Sequence, residues 1–196
     1  MGAFYIHLQS RTMEPCSLQR DSYAAAKGTW LCSGCCSPRP GEYAIDAYIQ
    51  DRAPAGPLNL VNGCGLPMAN RAFLMRFGEA RVEQDLLVGK VFGPDGKEMR
   101  EWVTFRGRHG LFVRGTEHVQ QRRCEVCGRN LYFAMGRRYL YPEPRPEIRL
   151  FESNLFGLVL PEWLAMECEM MEPSGVTVDR LQVLDEPPDG LPALAF

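Results

Sequence analysis

The fold of this chain is decided by two short cysteine motifs, CSGC at residues 32–35 and CEVC at residues 124–127. Two residues between paired cysteines let both thiolates of a tight turn face one ion. Two such turns supply the four sulfur ligands of a tetrahedral zinc site, which leaves no position open for a substrate. The motifs therefore predict one structural Zn²⁺, with the ligands Cys32, Cys35, Cys124 and Cys127.

The context of the motifs leaves alternatives open. The motifs are separated by 88 residues, whereas about 15–20 are usual, so we expect a zinc ribbon with a long insertion. Such an insertion is tolerated because closure entropy grows only logarithmically with loop length. Cys36 stands where the second motif has Gly128, and it can replace Cys35 as a ligand. A redox pair, a disulfide or a set of unmetallated thiols are the other interpretations.

The segments around the motifs predict a mixed α+β fold with mainly antiparallel strands and few helices, in one domain over residues 1–196. Turn-rich sequence marks zinc-ribbon elements at residues 28–40 and 120–141. A helix–strand element is predicted at residues 150–185. The isolated cysteines, Cys16, Cys64 and Cys168, are interpreted as small buried hydrophobes.

Individual elements follow from local patterns. The strongest is a hairpin whose strands, residues 86–92 and 97–106, flank the turn Gly93-Pro94-Asp95-Gly96. Weaker patterns predict a helix at residues 69–84, a broken hairpin at 130–141, a helix at 160–172 and a strand at 176–184.

Charge is segregated along the chain, although the formal net charge is only −2. Residues 1–70 are balanced, residues 71–138 carry +6 and residues 139–196 carry −8. Either the two charged regions neutralise each other within one fold, or they form a basic and an acidic face for different partners.

The sequence contains no catalytic constellation. His7, His109 and His118 lack metalloprotease context, and no Walker A loop, nucleophile elbow or dinucleotide fingerprint is present. A Cys–His pair that forms only in space stays open as an alternative. We therefore expect no enzyme activity and no small-molecule substrate. We also expect a cytoplasmic protein with no membrane contact, because no secretory signal and no apolar run of roughly 20 residues is visible.

Several features around the motifs are shared with one known family. Phe4-Tyr5 lies in a short predicted strand near the N-terminus, and Trp30 precedes the first motif. Gly128-Arg129 follows the second motif, and the C-terminal part contains LFESN at residues 150–154 and GVTV at residues 175–178. In these features the chain resembles the myxobacterial double-CXXCG-motif paralogues, described as immunity proteins of swarm-inhibition toxins. The resemblance covers both ends of the chain, whereas residues 38–120 show little similarity and the first motif lacks its glycine.

The resemblance implies a cytoplasmic zinc-ribbon protein that neutralises a cognate contact-transferred bacterial toxin by stoichiometric occlusion. Many such toxins are nucleases with basic clefts, so the acidic tail is the predicted partner surface. Its candidate residues are Glu162, Glu167, Glu169 and Glu172. On a continuous helix Glu162, Glu169 and Glu172 share a polar flank, and Trp163 shares a face with Met170. The other interpretation is a solvated helix face above a core-facing stripe.

The alternative function is nucleic-acid binding by the basic, aromatic-rich residues 100–141. There arginines can contact phosphates and aromatic rings can stack on bases. The candidates are Arg100, Arg106, Arg108, Arg114, Arg122, Arg123, Arg129, Arg137 and Arg138, with Trp102, Phe105, Phe112, Tyr132, Phe133, Tyr139 and Tyr141. The acidic tail would compete for this surface, so nucleic acid is the less favoured partner.

Overall fold

The computed structural model of the chain describes residues 4–11, 15–39, 41–52, 54–62, 64–141 and 148–185. Strands make up 43% of the described residues and helices 16%, which confirms the α+β class with few helices. The strands are β1 (Phe4–Ser10), β2 (Ala47–Tyr48), β3 (Leu58–Val61), β4 (Leu66–Asn70), β5 (Leu86–Phe92), β6 (Glu98–Gly107), β7 (Gly110–Leu111), β8 (Arg114–Arg123), β9 (Asn130–Leu140), β10 (Phe151–Ser153), β11 (Gly157–Pro161) and β12 (Val176–Val183). The helices are α1 (Arg20–Gly28), α2 (Arg71–Met75), α3 (Glu79–Asp85) and α4 (Glu162–Glu167).

The larger sheet has seven strands in the order β7-β10-β11-β1-β12-β9-β8. The N-terminal strand β1 lies at its centre, antiparallel to both β11 and β12. Ile6 and Leu8 of β1 belong to the main core, and His7 between them is also fully buried. This strand is thus covered on both faces, since successive side chains point to opposite sides. β9 pairs in parallel with β12 and forms a long hairpin with β8, whose tip carries the second cysteine motif.

The smaller sheet has five strands in the order β2-β5-β6-β4-β3. Its β5–β6 hairpin is the one that the sequence predicts. The Gly93 N–H donates to the Lys97 carbonyl at 2.9 Å, and the Gly96 N–H donates to the Gly93 carbonyl at 3.0 Å. Gly96 has a φ of 74°, which glycine adopts without steric cost. The prediction succeeds here because the turn residues specify the conformation locally.

Apolar side chains from both sheets meet in one main core. Ile6 and Leu158 come from the larger sheet, and Phe105 comes from the smaller one. On its other face the smaller sheet supplies Trp102 to a second apolar cluster, which also contains Leu31 beside the first cysteine motif. Each fully buried Leu, Ile or Phe stabilises the fold by about 1.5–3 kcal/mol. The first motif is therefore attached to a large buried cluster.

Two predicted elements differ from the structure, and each contains a glycine with a positive φ. The helix predicted at residues 69–84 is divided into α2 and α3, with Gly78 between them at a φ of 87°. The broken hairpin predicted at residues 130–141 is the single strand β9, which pairs along its length with β8. Gly136, at a φ of 72°, causes an irregularity in that pairing and does not reverse the chain. Within the described residues, no helix has the length and apolar character needed to cross a lipid bilayer.

Candidate metal centre

The first cysteine turn, residues 32–37, follows α1 and packs into the second apolar cluster. The backbone N–H of Cys36 donates to the Cys32 carbonyl at 2.9 Å, and the N–H of Cys32 donates to the Ser37 carbonyl at 3.0 Å. Leu31 and Cys32 are fully buried. Packing of Leu31 in the core therefore fixes the start of this turn.

The second cysteine turn, residues 124–129, joins β8 to β9 and repeats the same backbone pattern. The N–H of Gly128 donates to the Cys124 carbonyl and the N–H of Cys124 donates to the Arg129 carbonyl, both at 2.8 Å. Gly128 has a φ of 70°, and Cys36, at the equivalent place of the first turn, has a φ of 56°. Both motifs thus build the same turn, although only the second has the glycine that favours a left-handed conformation.

The two turns face each other and bring four sulfur atoms together. Cys32 Sγ lies 3.7 Å from Cys124 Sγ, and Cys35 Sγ lies 3.7 Å from Cys127 Sγ. All four sulfurs lie within 4.8 Å of one another. Cys32 and Cys124 are buried, whereas Cys35 and Cys127 are half-buried. This group can hold a metal ion, and its members are the four cysteines that the sequence spacing selects.

Gly34 permits this close approach and is not among the predicted site residues. A Cβ added at Gly34 would lie 2.8 Å from Val126 Cγ2 and 3.1 Å from Cys124 Sγ. Both distances are shorter than ordinary van der Waals contact, so a larger residue pushes the turns apart. The sequence contains one signal for this contact: the third residue is the small Gly34 in the first motif and the larger Val126 in the second.

The remaining cysteines lie apart from this group. The Tyr23 hydroxyl donates a hydrogen bond to Cys36 Sγ at 3.6 Å, so Cys36 faces α1. Cys16 and Cys64 are buried in the second apolar cluster, as predicted. Cys168 is half-buried against the main core.

Backbone N–H groups stabilise thiolates at the buried side of the site. The pKa of Cys32 is lowered to about 6, mainly because the Cys35 N–H donates a hydrogen bond to its sulfur. The Gly34 N–H also donates to Cys32 Sγ, at 3.3 Å. The Cys127 N–H likewise lowers the pKa of Cys124. Burial is the main cause that raises the pKa of Cys127 to about 12. Accumulating four thiolates here therefore requires a cation that offsets their charge.

Arginines connect the second turn with its surroundings. Arg123 Nε donates to the Gly128 carbonyl at 3.2 Å, inside the hairpin. Arg129 Nη1 donates to the Pro38 carbonyl at 3.2 Å and so joins the two motif segments. Both guanidinium groups stabilise the negative charge of thiolates at this site. The side chain of Arg122, the third arginine of this segment, lies outside the part that the structure describes.

The predicted partner surface does not form one helix face. α4 ends at Glu167 instead of residue 172. The Met170 N–H donates to the Ala165 carbonyl at 2.7 Å while Glu169 takes a φ of 54°, which is the Schellman pattern that ends a helix. Trp163 is 49% exposed and Met170 is fully buried. The prediction that these two side chains share a face is therefore wrong.

The four predicted glutamates differ in their contacts. Arg180 Nε lies 2.6 Å from Glu162 Oε1, and Arg76 Nη2 lies 3.7 Å from Glu169 Oε2. Glu167 and Glu172 are exposed. The acidic surface therefore centres on Glu167, Glu169 and Glu172, with Glu162 held against β12.

The basic, aromatic-rich segment is not one continuous surface either. Trp102 and Phe105 are 7% and 1% exposed, so their rings belong to the cores and cannot stack on bases. Arg106 is also buried. The side chains of Tyr132 and Phe133 lie outside the described residues.

The chain is thus a strand-rich protein with a tetracysteine site that can hold a metal ion. No protein-family model matches it, and no curated protein matches it significantly. Its function is therefore inferred from its own sequence and geometry.

Proposed function

We propose that Cys32, Cys35, Cys124 and Cys127 bind one Zn²⁺ as a structural ion in a zinc-ribbon-like site. The supporting distance is the 3.7 Å between sulfurs of facing turns. A tetrahedron with Zn–S bonds of about 2.3 Å has edges of about 3.8 Å. Four thiolates fill such a shell, so the ion stabilises the fold and has no position for a substrate.

The second turn is the part of the fold that depends most on this ion for its stability. Val126 at its tip is 60% exposed, so apolar burial contributes little there. The ion would join this turn to the first one, across 92 residues of sequence. Cross-links that close long loops reduce the entropy of the unfolded chain the most.

Elemental analysis of the purified full-length protein tests the zinc site. We expect one equivalent of zinc in the natural protein and none in Cys124→Ser. The matched control is Cys168→Ser, which removes a half-buried thiol outside the group and should retain the metal. Absence of zinc in the natural protein, or equal loss in both variants, contradicts the site.

We further propose that the protein is a cytoplasmic immunity protein that binds and occludes a cognate bacterial toxin without performing chemistry. Support comes from the segments that carry the family resemblance. Residues 150–154 include β10 and residues 175–178 begin β12, and both lie in the sheet around β1 in the order β10-β11-β1-β12. The segments that carry the resemblance thus lie in neighbouring strands of one sheet.

The partner surface is inferred from an exposed apolar pair that lies beside Glu167 and has the Arg149 guanidinium over its Trp163 ring. Trp163 is 49% and Met166 64% exposed. Residues three and four apart are neighbours on a helix, so Trp163, Met166 and Glu167 share one side of α4. Interfaces combine aromatic and Met anchors with a polar rim. An acidic rim suits a partner with a basic cleft.

The product of the gene immediately upstream is the first candidate partner, and a lipoprotein toxin there would support the class. We expect nanomolar, one-to-one binding and protection of cells that express the toxin. Trp163→Ala should weaken binding roughly 30-fold or more, the range of interface hot spots. Charge reversal at Glu167, Glu169 and Glu172 should weaken it as well.

The matched control reverses Glu79 and Glu101, which are exposed on α3 and β6. Unchanged affinity after reversal at Glu167, Glu169 and Glu172 eliminates this surface. Absence of both binding and protection contradicts the immunity function, whatever the zinc content.

A further inference from the structure

A cleft of about 620 Å³ opens where the two sheets meet. The end of β6 forms one wall, and β7 with the end of β10 forms another. Arg129, two residues after the ligand Cys127, reaches the same space. Neither the zinc site nor the partner surface uses this cleft.

The cleft has a surplus of positive charge. Among the described residues, its lining contains four arginines and two glutamates. These residues are Arg106, Arg108, Arg114, Arg129, Glu42 and Glu152. Four cations against two carboxylates leave a surplus of two positive charges in a partly enclosed space, where charges are screened less than at an open surface.

Neutral carbonyl groups hold three of these arginines. Arg106 Nη1 donates to the Gly41 carbonyl at 3.1 Å, and Arg129 Nη1 donates to the Pro38 carbonyl at 3.2 Å. Arg108 Nη2 lies 3.5 Å from the Glu83 carbonyl. Backbone carbonyls orient guanidinium groups without cancelling their charge, so the arginines are positioned and remain cationic toward the cleft.

Arg106 is the deepest of the four. Its side chain is 7% exposed, and its Nε lies 3.8 Å from Glu152 Oε2, beyond hydrogen-bond distance. That Nε is buried without a hydrogen-bond partner, and leaving such a donor unsatisfied destabilises a fold.

Glu152 offsets the arginine charge only in part. Burial raises its pKa, against the opposing effect of the Arg106 and Arg129 guanidinium groups. Its Oε2 also accepts a hydrogen bond from the Gly107 N–H at 3.2 Å. The carboxylate is thus fixed at the wall of the cleft.

We propose that this cleft binds a small organic phosphate monoester. A monoester carries a charge of roughly −1.5 to −2 near neutral pH, which matches the surplus of two. Guanidinium groups bind phosphate through paired hydrogen bonds.

The volume of the cleft lies in the range of roughly 300–1,000 Å³ that is typical of small-molecule sites, and it is larger than phosphate alone requires. Leu111 and Phe112 line the cleft and supply apolar contact for the organic part. This inference goes beyond the proposed immunity function and does not depend on it.

Isothermal titration of the full-length, metal-loaded protein tests the site with adenosine 5′-monophosphate, adenosine and inorganic phosphate. We expect saturable one-to-one binding of the monophosphate. Inorganic phosphate should bind at the same site more weakly, because it lacks the organic part, and adenosine should bind at least about tenfold more weakly.

The variant Arg108→Gln should weaken binding of the monophosphate about tenfold or more, since it removes one charged hydrogen-bond donor. Its matched control is Arg100→Gln, which removes the same charge from an exposed position of β6 outside the cleft. Arg106→Gln is the stronger test, and Arg108→Gln serves if the loss of buried Arg106 prevents folding.

Three results would overturn the proposal. One is the absence of saturable monophosphate binding at millimolar concentration. Another is equal weakening by Arg100→Gln and Arg108→Gln, which indicates unspecific attraction. The third is Arg108-dependent binding of an oligonucleotide without binding of the monophosphate, which assigns the cleft to nucleic acid.

Discussion

The two cysteine turns have the same backbone hydrogen bonds and opposite surroundings. The first turn continues from Leu31, which is fully buried in the second apolar cluster. The second turn ends a hairpin and exposes 60% of Val126. The CxxC spacing thus determines the backbone conformation of a turn. The neighbouring residues determine whether the turn also packs against the core and so keeps its position without a metal.

The turns also differ at two equivalent positions. In the third position, Gly34 of the first turn faces Val126 of the second. In the fifth position, Cys36 takes the left-handed conformation that Gly128 takes in the second turn. One difference concerns the fit between the turns, and the other concerns the conformation of each turn, so they can be altered separately.

Removal of the proposed zinc ion should have the largest effect and should act unequally on the two turns. We expect chelation to lower the free energy of unfolding by about 4 kcal/mol, the value for a ligand at roughly a thousand times its Kd. Hydrogen exchange should accelerate more in residues 114–140 than in residues 29–38, because the core holds only the first turn. Equal acceleration in both regions would contradict the asymmetry.

Gly34→Ala should have the next largest effect. The added Cβ meets Val126 Cγ2 and Cys124 Sγ, and we expect a loss of about 2 kcal/mol in denaturant unfolding, as for other overpacked sites. Val126→Gly in the same chain should restore part of this stability, since it removes the closer contact. A double variant no more stable than Gly34→Ala would show that the facing pair does not set the approach.

Gly128→Ala should destabilise the protein by about 1 kcal/mol, the cost of a left-handed conformation for an L-residue. The nearest atom to the added Cβ is Arg123 Nη2 at 3.5 Å, an ordinary contact, so the effect is conformational. Gly110→Ala is the control, because its Cβ also meets its nearest atom at 3.5 Å and its φ is not positive. Equal losses in thermal unfolding of the two variants would contradict the assignment.

Cys36→Gly should have the smallest effect. Relief of the left-handed cost of about 1 kcal/mol is offset by the greater entropy of an unfolded glycine, about 0.5–1 kcal/mol. We expect a stability change within about 0.5 kcal/mol of zero and an unchanged zinc content. Loss of zinc in this variant, with retention in Cys35→Ser, would make Cys36 the ligand.

Local signals explain which parts of the fold the sequence predicts well. The β5–β6 hairpin is specified by its own turn residues, and β12 by its own β-rich run, so both are predicted nearly to the residue. The four cysteines are brought together because spacing alone defines each turn.

Predictions that depend on distant residues succeed less well. β9 is a continuous strand because β8 satisfies its backbone across the second turn, and nothing within residues 130–141 indicates that partner. α4 ends early because Met170 returns to the main core. The arginine cleft draws residues from four separate segments, and Glu152 has no local signal at all.

The separation of the two motifs has a consequence for synthesis of the chain. Cys35 and Cys127 are 92 residues apart, and a ribosome adds about 5–20 residues per second, so roughly 5–18 seconds pass between them. During that interval the first pair, which is half of the four-cysteine group, exists without the second pair. A nascent chain therefore carries two of the site's thiols before the site is complete. Supply of metal or protection from oxidation matters most in those seconds.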